Sequence, residues 1–179
     1  MKRIVPIAFG VLAAVVSVVA QSDADKPLLA APGKTKDGAT VIKWNKDFTY
    51  DTVKKGTGKM VCYDLSGWPT HPPFMMECTS MANLDRVSQN LKIEAIADAK
   101  ARQAAFEEAE KNGTRVKPEF GSVWYHLMGA SESQARTHMT IAVPGATTKT
   151  LGLPEDGKQG GVWIMNAGTT TAHLMTPGE

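Results

Sequence analysis

The chain has 179 residues, 42% of them hydrophobic, and a formal net charge of +2, which suits a folded protein with its own core. The excess positive charge comes from Lys2 and Arg3, because the rest of the chain has eighteen basic and eighteen acidic residues. This balance argues against a nucleic-acid-binding protein, since such proteins concentrate cations on one surface.

The first twenty residues have the pattern of a secretory signal peptide. Lys2 and Arg3 form a short positive region, residues 4–19 are almost all apolar, and small residues precede a cleavage point after Ala20. The apolar run is shorter than the ~20 residues that span a membrane, and no stop-transfer pattern follows it. We therefore predict a Sec-type signal peptide over residues 1–20. The protein is expected to be bacterial, periplasmic or secreted, with no membrane span after cleavage.

Residues 21–38 are rich in alanine, proline, glycine and charge without a hydrophobic period, which predicts a flexible N-terminal arm. Residues 39–179 are expected to form a single α+β domain. The two cysteines of the chain are Cys62 and Cys78, and an even number in an exported protein favours a disulfide. The bridge would order the proline-rich segment between them, which is predicted to lack regular structure. A pair of metal-binding or redox thiols is the alternative, although the spacing is far from C-x-x-C.

Three strands, over residues 39–44, 48–54 and 59–65, are predicted from short segments rich in β-branched and aromatic residues. The turn signal between the second and third strands predicts that these two form a hairpin. Residues 80–111 contain neither glycine nor proline and repeat apolar residues at spacings of three and four. This pattern predicts a helix that ends at Asn112-Gly113, either continuous or divided near residue 90.

Four further apolar runs, each separated from the next by glycine or proline-glycine turns, predict strands over residues 123–128, 137–143, 162–166 and 171–175. The long connection over residues 145–161 is predicted to be a surface loop. This order of elements indicates an α+β fold. We expect an antiparallel sheet of about six to seven short strands with one main helix packed on it.

The C-terminal strands carry the pattern that points most directly to chemistry. His-Leu-Met occurs at residues 126–128 and again at 173–175, and in a strand each histidine shares a face with the methionine two residues later. Imidazole and thioether groups suit a soft ion such as Cu(I), to which a tryptophan can add a cation–π contact. The predicted metal ligands are His126, His138, His173 and Met175. A site for a small molecule at His138, His173 and Trp163 is the broader form of this hypothesis. The alternative is that these methionines and tryptophans only fill the core.

A small hydrolase is the competing hypothesis, with one of these histidines as general base. Ser131, Ser133 or a threonine in residues 169–171 would supply the nucleophile, and Glu132 or Asp156 would orient the histidine. The sequence contains no G-x-S-x-G motif or other catalytic spacing. Serine and threonine in glycine-rich turns usually bond to the backbone instead.

The segment between the cysteines suggests recognition as a third class of function. Trp68, Phe74, Met75 and Met76 would form an apolar patch for a small molecule or a partner protein if they were exposed. The interpretation we favour is that these side chains fold back onto the core. His71, in the same segment, is predicted to be a surface residue.

Three features resemble a group of small exported bacterial proteins that have no assigned function. They are ATVIKW at residues 39–44, the cysteine pair around a proline-rich loop, and the closing run VWIMNAGTTTAHLM. In that group a histidine also precedes the second C-terminal strand. The resemblance therefore implies that His138 and His173 are the pair of interest, whereas His126 has no clear counterpart. It implies no activity, substrate or cofactor.

These observations predict an exported, non-enzymatic binding protein whose ligand is a small molecule or a soft metal ion, copper being the metal considered. A secreted hydrolase with a C-terminal-strand histidine as base is the alternative. The two hypotheses require different geometry. A metal site needs three or four donors around one point, whereas a hydrolase needs a hydroxyl within ~3 Å of a histidine nitrogen.

Overall fold

The computed structural model describes residues 24–176. The signal peptide predicted over residues 1–20 lies outside the described residues, as do the first three residues of the predicted arm. Within residues 24–176, no helix combines the length and the apolar character that crossing a membrane requires.

In residues 24–176, four strands precede the two long helices and four strands follow them. The strands are β1 (Thr40–Trp44), β2 (Tyr50–Lys54), β3 (Met60–Asp64), β4 (Phe74–Ser80), β5 (Val123–Gly129), β6 (Arg136–Ala142), β7 (Trp163–Met165) and β8 (His173–Met175). The α-helices are α1 (Leu84–Glu94), α2 (Ala99–Lys111) and the single turn α3 (Thr148–Leu151). Short 3-10 turns lie at Lys26–Ala30, Gly33–Gly38, Met81–Asn83, Glu132–Gln134 and Gly157–Gln159.

All eight strands belong to one sheet, in the order β2-β1-β3-β4-β5-β6-β8-β7. Every pair of neighbours is antiparallel except β1 and β3, which are parallel. The broad prediction of a mixed protein with a mainly antiparallel sheet is confirmed. Two details need correction. The sheet has eight strands rather than six to seven, and the described residues form two main helices rather than one.

The predicted hairpin between the second and third strands is wrong, because β2 pairs with β1 instead. A tight turn over residues 45–48 reverses the chain, with Phe48 at a φ of 67° and the Asp47 carboxylate accepting from the backbone of Thr49. The later turn does not form a hairpin. There the Gly56 amide donates to the Thr40 hydroxyl, and a Cβ at Gly56 would lie 2.3 Å from the Gly38 carbonyl oxygen. The turn thus crosses the start of β1, and β3 enters the sheet beside β1.

The helical stretch divides into α1 and α2, which the sequence left open, but the division lies at residues 95–98 rather than near residue 90. Asp98 fixes it, because its carboxylate accepts from the Ala101 amide at 2.8 Å and caps the start of α2. Helix α1 buries Leu84, Val87 and Leu91 against one face of the sheet.

The strand β4 corrects the prediction that the whole segment between the cysteines is irregular. Only residues 65–73 are a connection, whereas residues 74–80 pair with both β3 and β5. Cys62 and Cys78 are direct cross-strand partners with their sulfur atoms 2.08 Å apart, so the predicted disulfide is confirmed. Phe74, Met75 and Met76 are buried, and Trp68 packs against the core beside Phe48. The interpretation that these side chains join the core is therefore confirmed.

The two faces of the sheet have different covers. On one face, α1 packs over residues such as Ile42 and Tyr63. On the other face, Ala30 packs with the disulfide and Met76. Residues 24–38 were predicted as part of a flexible arm, yet they form two 3-10 turns, the first of which supplies this cover. The disulfide thus lies on the face opposite α1.

Candidate functional site

A cavity of about 350 Å³ lies between α1 and the sheet. All four histidines of the chain line it: His71 from the β3–β4 connection, His126 from β5, His138 from β6 and His173 from β8. Glu77, Arg86, Glu94 and Trp124 line it as well. We call this space the histidine cavity.

The register of the sheet explains why three of the histidines meet. Glu77, His126 and His138 are consecutive cross-strand partners on β4, β5 and β6, so all three side chains project from the same face. The rings of His126 and His138 stack with centroids 5.8 Å apart. His173 pairs with Ala142, which lies four residues beyond His138 on the same face of β6. One face of the sheet thus carries three imidazoles under α1, with His126 and His138 in one row and His173 four residues further along.

Glu77 joins this row to a buried tyrosine. The Tyr63 hydroxyl donates to Glu77 Oε1, while Glu77 Oε2 lies 2.9 Å from His126 Nδ1. The contact with His126 is an ion pair rather than a well-aligned hydrogen bond, because the ring N–H does not point at the carboxylate oxygen. Glu77 is 5% exposed. A carboxylate this deeply buried requires a positive partner, and His126 provides it.

This ion pair changes the protonation of both partners. Burial alone would lower the pKa of His126, but the Glu77 carboxylate outweighs it and holds that pKa above its ordinary value. Burial alone would raise the pKa of Glu77, but the charge of His126 and the hydrogen bond from Tyr63 hold it below its ordinary value. Burial, together with repulsion from His126 and His173, lowers the pKa of His138. The cavity therefore presents one imidazole whose protonated form is favoured beside one whose neutral, hydrogen-bond-accepting form is favoured.

Helix α1 supplies the opposite wall of the cavity. Arg86, Asn90 and Glu94 follow one another at intervals of four residues, so they lie along one side of the helix. Arg86 is 3% exposed and donates from Nη1 to the Val116 carbonyl and the Thr170 hydroxyl, and from Nη2 to the Thr171 hydroxyl. Burial, with repulsion from Arg115, lowers its pKa to about 10, so it remains charged at neutral pH.

Glu94 and His71 lie together at the far end of this wall. His71 Nε2 is 3.9 Å from Glu94 Oε2, and the side chains are 13% and 21% exposed. The prediction that His71 is a surface residue is therefore wrong. Glu94 Oε2 is buried and accepts no hydrogen bond from the described residues. Burial raises the pKa of Glu94 despite the attraction of His71, so this carboxyl group is drawn towards its neutral form.

The predicted site residues fall into two groups. His126, His138 and His173 line the cavity together. Trp163 and Met175 do not line it, because they are cross-strand partners at the edge formed by β7 and β8. Among residues 24–176, no three histidine, cysteine, aspartate or glutamate side chains lie close enough together to hold one metal ion. The histidines thus share a cavity without forming a ready-made metal centre.

The hydroxyl groups considered as nucleophiles lie elsewhere or have other partners. Ser131 and Ser133 contact each other at 3.1 Å in an exposed turn. Thr170 and Thr171 accept from Arg86. In the part of the chain that the structure describes, the hydrogen bonds of His71 and His173 go to backbone carbonyls, and none joins a histidine to a hydroxyl. The serine or threonine nucleophile that the sequence suggested is not paired with a base here.

Three residues that shape the cavity were not found from the sequence: Glu77, Arg86 and Glu94. Glu77 is the one charged residue in the apolar segment FMMECTS, and a lone acid there is a signal of a buried, paired group. Arg86 lies between Leu84 and Val87 of α1, and Glu94 follows Leu91 by three residues. Charged residues within an apolar stripe are a comparable signal, which sequence reasoning passed over.

No match was found for this chain among protein-family models, curated proteins or solved structures.

Replacing Glu77 with glutamine is expected to lower the pKa of His126 from above to below its ordinary value of 6.5, because burial then acts without the carboxylate. The measurement is an NMR titration of the histidine ring protons. Glu119→Gln, an exposed acid with no contact to His126, is the matched control and should leave that titration unchanged. An unchanged His126 titration in Glu77→Gln would contradict the assignment of the ion pair.

Proposed function

We propose that this protein binds a small polar molecule in the histidine cavity and does not convert it. The observation that carries the proposal is that all four histidines, two acids and a buried arginine of the chain converge on one space between α1 and the sheet. Ligand sites in proteins are concave and combine apolar walls with a few converging polar groups. The cavity volume of about 350 Å³ lies within the usual range for such sites.

The lining of the cavity supports a ligand with both polar and apolar parts. Trp124, Met75 and Leu91 provide apolar surface, whereas His138 and Glu94 provide polar groups. A buried polar atom without a partner is costly in free energy. Glu94 Oε2 is such an atom among the described residues, and a hydroxyl or amine of the ligand would give it a partner.

Export of the protein belongs to the same proposal. The disulfide between Cys62 and Cys78 supports it, because such bridges form in oxidising compartments. A periplasmic or secreted protein of this kind would meet its ligand outside the cytoplasm. A soft metal ion, with copper considered first, is the narrower form of the proposal, and it would need His126, His138 and His173 to move towards one point.

A second candidate is a hydrolase in which His126, in the neutral form that it takes above its raised pKa, is a general base that activates water. The Glu77–His126 pair favours it, because a carboxylate at one ring nitrogen orients an imidazole and increases its basicity at the other. The stacked His138 and the nearby Trp124 would then form the walls of the reaction space.

The test is a screen of small water-soluble acids, amides, amines and alcohols against the purified protein, with Cu(I) as a separate arm. We expect at least one organic compound to shift the ring-proton NMR signals of His126, His138 and His173 together and to be recovered unchanged. A compound that is consumed, at a rate that falls when His126 is replaced, would favour the hydrolase. If neither the compounds nor Cu(I) moved any histidine signal, the proposed binding function would be wrong.

A further inference from the structure

The side chain of Arg86 is a buried cation whose hydrogen-bond partners are all neutral. Its guanidinium donates to one carbonyl and two threonine hydroxyls, at distances of 2.5 to 3.0 Å. Among the described residues, no carboxylate lies within ion-pair distance of it. A buried charge is normally paired with an opposite charge, because desolvation is costly.

A second buried arginine close to Arg86 also lacks an ion-pair partner in the described part of the chain. Arg115 is also buried and donates to the neutral side chains of Gln89 and Asn90. The negative charge of Glu110 raises the pKa of both arginines against the larger effect of burial. Its two oxygens, however, accept from the amide and hydroxyl of Thr170. Neither guanidinium therefore has an ion-pair partner among the described carboxylates, and an anion would supply one to Arg86.

The free donors of Arg86 have the geometry for one particular anion. A guanidinium has five N–H groups, and the three recorded bonds use both on Nη1 and one on Nη2. Nε–H makes no hydrogen bond within residues 24–176, and it shares one edge of the planar group with an N–H of Nη2. That edge is the one with which arginine holds a carboxylate through two parallel hydrogen bonds.

We propose that the ligand of the histidine cavity is an organic monocarboxylate, held by the free Nε–Nη2 edge of Arg86. This inference rests on the proposed binding function. Glu77 and Glu94 line the same cavity and would repel a dianion such as phosphate, whereas a single carboxylate matches the one guanidinium that lines this cavity. The body of the ligand would lie along Trp124 and the stacked rings of His126 and His138.

The test compares matched triplets of compounds, from the size of acetate to that of naphthylacetate, each a carboxylate with its amide and its amine. Inorganic phosphate is a further probe. Binding is measured by the histidine ring-proton signals. We expect the best carboxylate to bind about tenfold or more tighter than its amide. Arg86→Lys, which keeps the charge but loses the two-donor edge, should remove most of that preference. Arg102→Lys is the control, since Arg102 donates to the carbonyls of Ile96 and Ala97 away from the cavity.

A second measurement does not depend on whether the Arg86 variant folds. In the unaltered protein, the Nε–H NMR signal of Arg86 should shift when a carboxylate binds and stay in place with the amide. Equal binding of carboxylate and amide, or tighter binding of amine or phosphate, would overturn the carboxylate assignment and leave the binding function intact. If no probe moved the histidine signals, both proposals would fail.

Discussion

Leu91→Ala is expected to lower the free energy of unfolding by about 3 kcal/mol, within the range for leucine-to-alanine changes in well-packed cores. Leu91 is 2% exposed and packs in one cluster with Tyr63, Leu84 and Val87, so it fixes α1 to the sheet. It also lines the histidine cavity. The substitution removes apolar contact between α1 and the sheet, and it enlarges the cavity.

Chemical denaturation of Leu91→Ala beside Lys92→Ala measures this effect. Lys92 is the next residue of α1 and is exposed, so its replacement should change the free energy of unfolding by no more than about 0.5 kcal/mol. Equal stabilities of the two variants would mean that α1 does not pack on the sheet as described. The histidine cavity would then lack the wall that α1 supplies.

His126→Leu is expected to destabilise the protein by about 3 kcal/mol near neutral pH, because it leaves Glu77 buried without a cation. In the variant, burial acts on Glu77 with little to oppose it, so the pKa of Glu77 rises above its ordinary value of 4.5. His138→Leu is the matched control. It removes the neighbouring imidazole, which has no carboxylate partner, and should have a much smaller effect.

The pH dependence identifies the cause. In the unaltered protein the lowered pKa of Glu77 gives stability that is present above pH 4.5. This stability is lost as the pH falls through the lowered pKa that Glu77 has in the folded protein. The raised pKa of His126 gives stability that is present below pH 6.5 and is lost as the pH rises through that raised value. The difference between the unaltered protein and His126→Leu should therefore be smallest below pH 4.5 and increase as Glu77 ionises. A difference that is the same at every pH would contradict the ion pair.

The strands with strong local patterns could be predicted from the sequence, and those defined by long-range pairing could not. Residues 40–44, 123–129 and 136–142 carry their own β-branched or aromatic pattern and were found with small shifts of boundary. The segment before β4 contains one glycine and three prolines, which favour turns. Residues 74–80 nevertheless form a strand, because β3 and β5 pair with them on both sides. Local propensity contains no information about such partners.

The candidate site shows the same limit. The alternation of residues in a strand places His126 and Met128 on one face, and the sequence is sufficient for that prediction. The stacking of His126 on His138 depends on the register between β5 and β6. The meeting of His71 with Glu94 depends on how the β3–β4 connection folds towards the end of α1. Register and loop path come from tertiary packing, so the placement of Glu77, Arg86 and Glu94 beside the histidines could not be predicted from local pattern alone.

The most direct test of the account is to fill the histidine cavity and measure binding of a compound found in the screen. Thr140 lines the cavity two residues beyond His138 on β6, whereas Thr137 lies on the opposite face of the same strand and is exposed. Isothermal titration of that compound into Thr140→Phe and Thr137→Phe compares one added ring inside the cavity with the same ring outside it. If the ligand occupies the histidine cavity, we expect binding to be lost in Thr140→Phe and retained in Thr137→Phe. Equal binding by both variants would place the ligand somewhere else on the protein and contradict the central claim.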